Sequence, residues 1–194
     1  MRYNGLKSQK TVQMVEIALM SAVLCVVSPF TVPVPMSPVP LSLATFAVYL
    51  AVVLLGAKKS TICVVLYLLL GAVGLPVFSG FSGGIGVLLG PTGGYLLGYA
   101  VCAAVAGWLL KNRTHRKQTA GRRCYVRTVF ALSFGTVVCY ILGTGWFRAV
   151  MKGSYTVTQA LLVCVVPYLL FDMVKILAVA ALAEPVRRIL RNRG

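Results

Sequence analysis

Apolar residues in this chain run unbroken for helix lengths and do not alternate with polar ones, so the pattern predicts membrane-length helices and argues against a barrel of short alternating strands. A bilayer core about 30 Å thick takes roughly 20 apolar residues per helix. Laid along the chain, that ruler predicts spans near 11–28, 41–57, 61–78, 93–110, 127–145 and 156–183. The expected fold is therefore all-α, with six transmembrane helices. Each run must satisfy its own backbone in hydrocarbon, which a helix does. The first run carries no small-residue cleavage pattern and is followed by a proline-rich turn, so it is expected to stay as a helix.

Composition agrees with lipid as the solvent. Only 11% of residues are charged against 59% hydrophobic, whereas a soluble domain has roughly a quarter charged. The net charge of +16, from 19 Lys+Arg and 3 Asp+Glu, would suggest nucleic acid in a soluble protein. Position removes that reading. Sixteen of the 19 basic residues lie at the two termini and in alternate loops, at Arg2 to Lys10, Lys58 and Lys59, Lys111 to Arg127 and Arg187 to Arg193. The positive-inside rule puts those segments and both termini in the cytoplasm, with Arg148 and Lys152 outside. The partner implied is the lipid bilayer and not nucleic acid.

The connections on the external side are unusual. Ser28 to Pro40 is rich in proline, which withholds N–H donors and keeps the chain extended, as expected of an ordered cap or re-entrant segment. Gly80 to Gly94 is rich in glycine, carries no charge and contains Ile, Val and Leu, unlike a free linker. Its glycines either supply tight turns only or free the backbone for close approach to a ligand in a membrane-level cavity.

Asp172 and Lys175 stand inside the last apolar run, where each charge costs roughly 2.5–3.5 kcal/mol at a helix centre on insertion scales. Three residues apart, they share one side of a helix. Either they neutralise each other as an internal ion pair, or they bind a small molecule whose polar N–H head meets the carboxylate and whose acid group meets the ammonium. Pro167, upstream on the same run, predicts a kink beside them.

Several chemistries find no support. No glycine-rich loop ends in Gly-Lys-Ser/Thr, so the chain does not hydrolyse ATP by itself. His115 is the sole histidine, and the six cysteines lack metal-ligand spacing, so no metal or cofactor is expected and the thiols are read as small apolar fillers. A single intramembrane acid gives no acid/base pair, which argues against an enzyme. Ala18 and Ala22, with Ser21 beside them, place small residues on the first helix for close helix packing, either within the chain or with a partner subunit. Gly94 and Gly98 are expected to pack internally.

Taken together, Pro38-Val-Pro-Leu-Ser-Leu43, Leu66 to Phe78, Gly83-Gly84, Leu89-Gly-Pro-Thr-Gly-Gly-Tyr-Leu-Leu-Gly98 and Asp172-Met-Val-Lys175 resemble the BioY family, the biotin-specific substrate-binding components of energy-coupling factor transporters. The resemblance implies one transmembrane domain over 1–194 that binds biotin on the outer side of a bacterial cytoplasmic membrane. It also implies docking onto a transmembrane coupling protein driven by two ATPase subunits, with Ala18, Ser21 and Ala22 at the docking face. In that reading Asp172 accepts from the ureido N–H groups and Lys175 neutralises the valerate carboxylate. Tyr95, Phe78 and Phe81 supply walls, and Ser82, Thr92 and the amides of Gly83 and Gly84 supply donors. The sequence departs from the family pattern at Ala44, where many members have Gln, at Ser82, where some have Asn, and at Leu96, where one branch has Arg. The alternatives are the same scaffold with another vitamin, or a membrane assembly subunit that binds no ligand.

Overall fold

The structure, a computed structural model, describes residues 2–32, 40–111, 122–152 and 155–192, with side chains described between 9 and 182 of these. Prolines 33, 35 and 38 of the external segment, and His115 with most of the basic loop, lie outside the described residues. The elements are α1 (Arg2–Val27), β1 (Thr31–Val32), β2 (Leu41–Ser42), α2 (Ala44–Ala72), α3 (Ile85–Leu89), α4 (Gly93–Lys111), α5 (Arg122–Val150), α6 (Val157–Cys164) and α7 (Val166–Asn192). The all-helical expectation holds, apart from the antiparallel pair β1 and β2, which stitches together the two ends of the proline-rich segment through Thr31 opposite Ser42 and Val32 opposite Leu41.

Four helices, α1, α2, α4 and α5, are long and apolar enough to cross a membrane, and α6 with α7, bent by 42°, passes the same test as a pair, so the count is four, or five with that pair taken as one span. The second and third predicted spans fall on the single element α2, because Lys58, Lys59 and Ser60 are already helical and leave no loop between them. α2 is nevertheless not straight. Gly56 sits at φ 74°, ψ 179°, outside helical geometry. The contacts on either side show that the chain doubles back there. Ser42 Oγ donates to the Ser28 carbonyl at 3.1 Å, and the Tyr67 hydroxyl pairs with Ser28 Oγ. A straight helix would hold positions 44 and 67 about 35 Å apart at 1.5 Å per residue, too far for both ends to meet one serine. The limbs 44–55 and 57–72 therefore form an antiparallel hairpin turned at Gly56.

That hairpin sorts the molecule into two ends. At the end of the Gly56 turn, Lys59 pairs with Glu16 at 2.7 Å and Arg127 donates to the Leu109 and Leu110 carbonyls at the close of α4, at 2.8 and 2.7 Å. At the other end lie the β1–β2 ribbon, the glycine-rich connection and the starts of α4 and α7. α4 packs between α2 and α5, and glycine makes the close approach possible: a Cβ on Gly107 would stand 2.4 Å from Ala57 Cα, and one on Gly98 would stand 2.7 Å from Cys139 Sγ. Gly94 likewise faces Trp146, so the expected internal packing of Gly94 and Gly98 is observed. Outward positions such as Leu69, Phe130, Ile141 and Leu170 are exposed, as lipid-facing positions are.

The last predicted span breaks at Val165 (φ −124°, ψ −53°), two residues before Pro167, whose missing N–H and ring exclude a straight continuation. α6 starts on a capping box in which Thr156 and Gln159 satisfy each other's backbone N–H groups. The glycine-rich connection is more ordered than its composition suggests, forming a 3-10 turn at Ser79–Phe81 and then α3.

Candidate functional site

Asp172 and Lys175 face the core at the ribbon end of α7, with side chains 7% and 11% exposed. The Lys175 ammonium donates to the Ser42 carbonyl at 2.7 Å, to Thr45 Oγ1 at 2.9 Å and to Asp172 Oδ1 at 3.0 Å. Its three donors are thereby engaged. Thr45 passes its own proton to Asp172 Oδ1 at 3.1 Å, and the Tyr140 hydroxyl donates to Asp172 Oδ2 at 2.6 Å. A carboxylate offers about four acceptor positions. Among the described residues Oδ1 holds two partners and Oδ2 one, which leaves one position on Oδ2 for a further donor.

That carboxylate lines a cavity at the ribbon end of the molecule. Its wall is built from tyrosines on four helices, Tyr49, Tyr95 and Tyr99, Tyr140, and Tyr168, with Cys102, Cys139 and Cys164 filling between them. Tyrosine suits this place because its ring is apolar and its hydroxyl takes one hydrogen bond. Tyr49 pairs with Thr136 at 2.7 Å, and Tyr95 with Thr144 at 2.9 Å. Thr136 already donates to the Leu132 carbonyl at 2.8 Å, so Tyr49 is the donor in its pair. A second cavity, lined by Phe78, Ser79, Ser82, Val87, Thr92 and Leu96, shares Pro40, Tyr95 and Tyr99 with the first.

The residues singled out from sequence fall into three groups. Asp172, Lys175 and Tyr95 line the first cavity, and Tyr95, Phe78, Ser82 and Thr92 line the second. Phe78 is fully buried, edge-on to the Tyr67 ring at 5.5 Å, and Ser82 Oγ donates to the Ser79 carbonyl at 2.8 Å. Gly83, Gly84 and Phe81 line neither cavity. A Cβ on Gly83 would meet the Leu75 carbonyl oxygen at 2.3 Å, the Gly84 amide donates to the Gly71 carbonyl at 2.7 Å, and Phe81 is 62% exposed with its ring against Phe30. The first-helix trio divides: Ser21 is buried with its hydroxyl aimed at the Ile17 and Cys63 carbonyls, whereas Ala18 and Ala22 are exposed.

Sequence reasoning passed over Thr45, Tyr49, Tyr99, Tyr140 and Tyr168. One signal was available, since a tyrosine inside an apolar span must find a partner for its hydroxyl or face a cavity.

Comparison with known proteins agrees with this geometry. The model of the BioY family matches residues 3–192. The biotin transporter BioY of Thermotoga maritima is 34% identical over 157 residues, covering 80% of this chain and 85% of the relative. Biotin transporter BioY2 of Lactococcus lactis subsp. cremoris is 31% identical over 175 residues, covering 90% and 89%. Among solved structures, the crystal structure of the S-component for biotin from an ECF-type ABC transporter superposes with a TM-score of 0.82 at 26% identity, over 93% of both chains. With nearly its whole length matched, fold and sequence alike, the chain belongs to the BioY family.

Proposed function

We propose that this chain is the biotin-capturing membrane subunit of an energy-coupling factor transporter, a transport component and not an enzyme. Relatives named as biotin transporters and a structural neighbour named as a biotin S-component support the cargo and the class. The observation in the molecule that carries the reading is Asp172, which lines a tyrosine-walled cavity and among the described residues keeps one acceptor position on Oδ2 without a partner. A ureido N–H is a donor of the kind that position accepts, and stacked aromatic walls suit a compact bicyclic ring.

The pair at 3.0 Å serves one end of an extended ligand. Biotin's ureido group and carboxylate lie at opposite ends of the molecule, so Asp172 and Lys175 cannot each hold one of them. Lys175 instead orients Asp172, with Thr45 and Tyr140. Phe78, Ser82 and Thr92 belong to the compartment beyond Tyr95, where the rest of the ligand lies; Gly83, Gly84 and Phe81 shape the connection that borders it.

Counting the two limbs of α2 separately gives six spans, and the basic termini and loops favour both termini in the cytoplasm of a bacterial cell. The cavity end is then external. Exposed Ala18 and Ala22 leave α1 open to close approach by a transmembrane coupling protein, which two ATPase subunits would drive. Purification in detergent after expression without biotin, followed by calorimetric titration with biotin, riboflavin and thiamine, tests the reading. Nanomolar binding of biotin alone is expected. No biotin binding by a folded sample would overturn it.

A further inference from the structure

Among the described residues that line the two cavities, only Asp172 and Lys175 are charged. The sequence at 33–39, between β1 and β2, contains no charged residue, and Arg148 and Lys152 are exposed and line neither cavity. The pair sums to zero, and every N–H of Lys175 already has an acceptor. A ligand carboxylate drawn into this space would be a third charge with no counter-charge and no free ammonium proton, which burial penalises strongly.

The hydrogen-bonding capacity left over brings no positive charge. Among the described residues it includes one position on Asp172 Oδ2 and the hydroxyls of Tyr99, Ser79 and Thr92. Among the described residues Tyr99 meets no hydrogen-bond partner, and it lines both cavities. The neighbouring phenols of Tyr49, Tyr95 and Tyr140 are committed to Thr136, Thr144 and Asp172. In the second cavity Leu96 is an apolar wall, and Ser82 spends its proton on the Ser79 carbonyl.

We infer that this chain recognises the uncharged, N–H-bearing head of its ligand and makes no ionic contact with the ligand's carboxylate, so that amides and esters of biotin are ligands on a par with biotin itself. Tyr99 supplies the hydrogen bond at the point where the ring system gives way to the side chain. This inference rests on the biotin reading above and narrows it to a ligand class.

The test titrates the purified full-length chain with biotin, biotinamide and biotin methyl ester. Affinities for the three within about threefold are expected. A loss of roughly thirtyfold or more for both neutral compounds, with biotin still bound, would overturn the inference and leave the biotin reading standing. Binding of none of the three by a folded sample would overturn both. Lys175→Met gives an independent readout: biotin and biotinamide should weaken by the same factor, whereas a loss about tenfold larger for biotin would place the carboxylate on Lys175 and refute the proposal. Tyr99→Phe should weaken all three ligands alike, and an effect on none of them would remove Tyr99 from the site.

Discussion

The Tyr140 hydroxyl on α5 donates to Asp172 Oδ2 on α7 at 2.6 Å, so the carboxylate that faces the cavity is aimed by a neighbouring helix as well as by its own. Thr45 on α2 fixes the other oxygen. A hydrogen bond to a charged group contributes about 1.5–3 kcal/mol. Tyr140→Phe is therefore expected to weaken biotin binding by about tenfold, read by calorimetry, while the fold persists. Unchanged affinity would mean that Asp172 holds its direction without the phenol.

Asp172→Asn keeps the shape of the side chain and removes its charge. Biotin binding is expected to fall by more than about tenfold, because the acceptor that meets the ligand is weakened and Lys175 loses its partner. Asp172→Leu should also lower thermal stability, since breaking a buried pair by deleting one member costs about 3–5 kcal/mol. The double variant Asp172→Leu with Lys175→Met is expected to recover most of that stability in a detergent melting experiment, and no binding. A double variant as unstable as the single one would show that the pair holds the fold together.

Gly143 faces the Tyr95 ring, and a Cβ there would stand 2.2 Å from it. Tyr95 lines both cavities. Gly143→Ala should push the ring into the ligand space and lower biotin affinity by about tenfold or more. Gly145→Ala, two residues on with nothing within 4 Å of its Cβ, should leave affinity unchanged and serves as the control. Equal affinity in the two variants would show that Tyr95 can shift without disturbing the site.

The turn of the α2 hairpin depends on a conformation that is essentially restricted to glycine. Gly56→Ala meets no neighbour within 4 Å, so its penalty is conformational alone, about 1–3 kcal/mol. A lowered melting temperature with unchanged biotin affinity is the expected result, since the turn lies at the far end from the cavity. No change in melting would mean that the chain turns there by another backbone path.

Much of this architecture is legible in the sequence because hydrocarbon enforces simple rules. Apolar length located the helices, and the expense of intramembrane charge singled out Asp172 and Lys175 before any geometry was known. Pro167 marked a bend that falls two residues earlier, at Val165. The limits were of two kinds. The hairpin turn was blurred because Lys58, Lys59 and Ser60 look like a loop and are helical, and only the backbone angles of Gly56 locate the reversal. The tyrosine wall was hidden because Tyr49, Tyr99, Tyr140 and Tyr168 are scattered among apolar neighbours on four separate stretches, and their convergence is a tertiary fact. The glycine-rich connection misled in part. Gly83 makes room for the Leu75 carbonyl and Gly93 for the Leu88 carbonyl, so packing accounts for both absences of a side chain.

Ser42 occupies a junction. Its carbonyl receives the Lys175 ammonium, its hydroxyl donates to the Ser28 carbonyl beyond the end of α1, and the same oxygen accepts the Ala44 amide that opens α2. One residue thus rivets the charged floor of the cavity to the helix whose outer side carries Ala18 and Ala22. Occupancy of the pocket and the seating of α1 share a single mechanical joint, and wear at that joint would be felt at both.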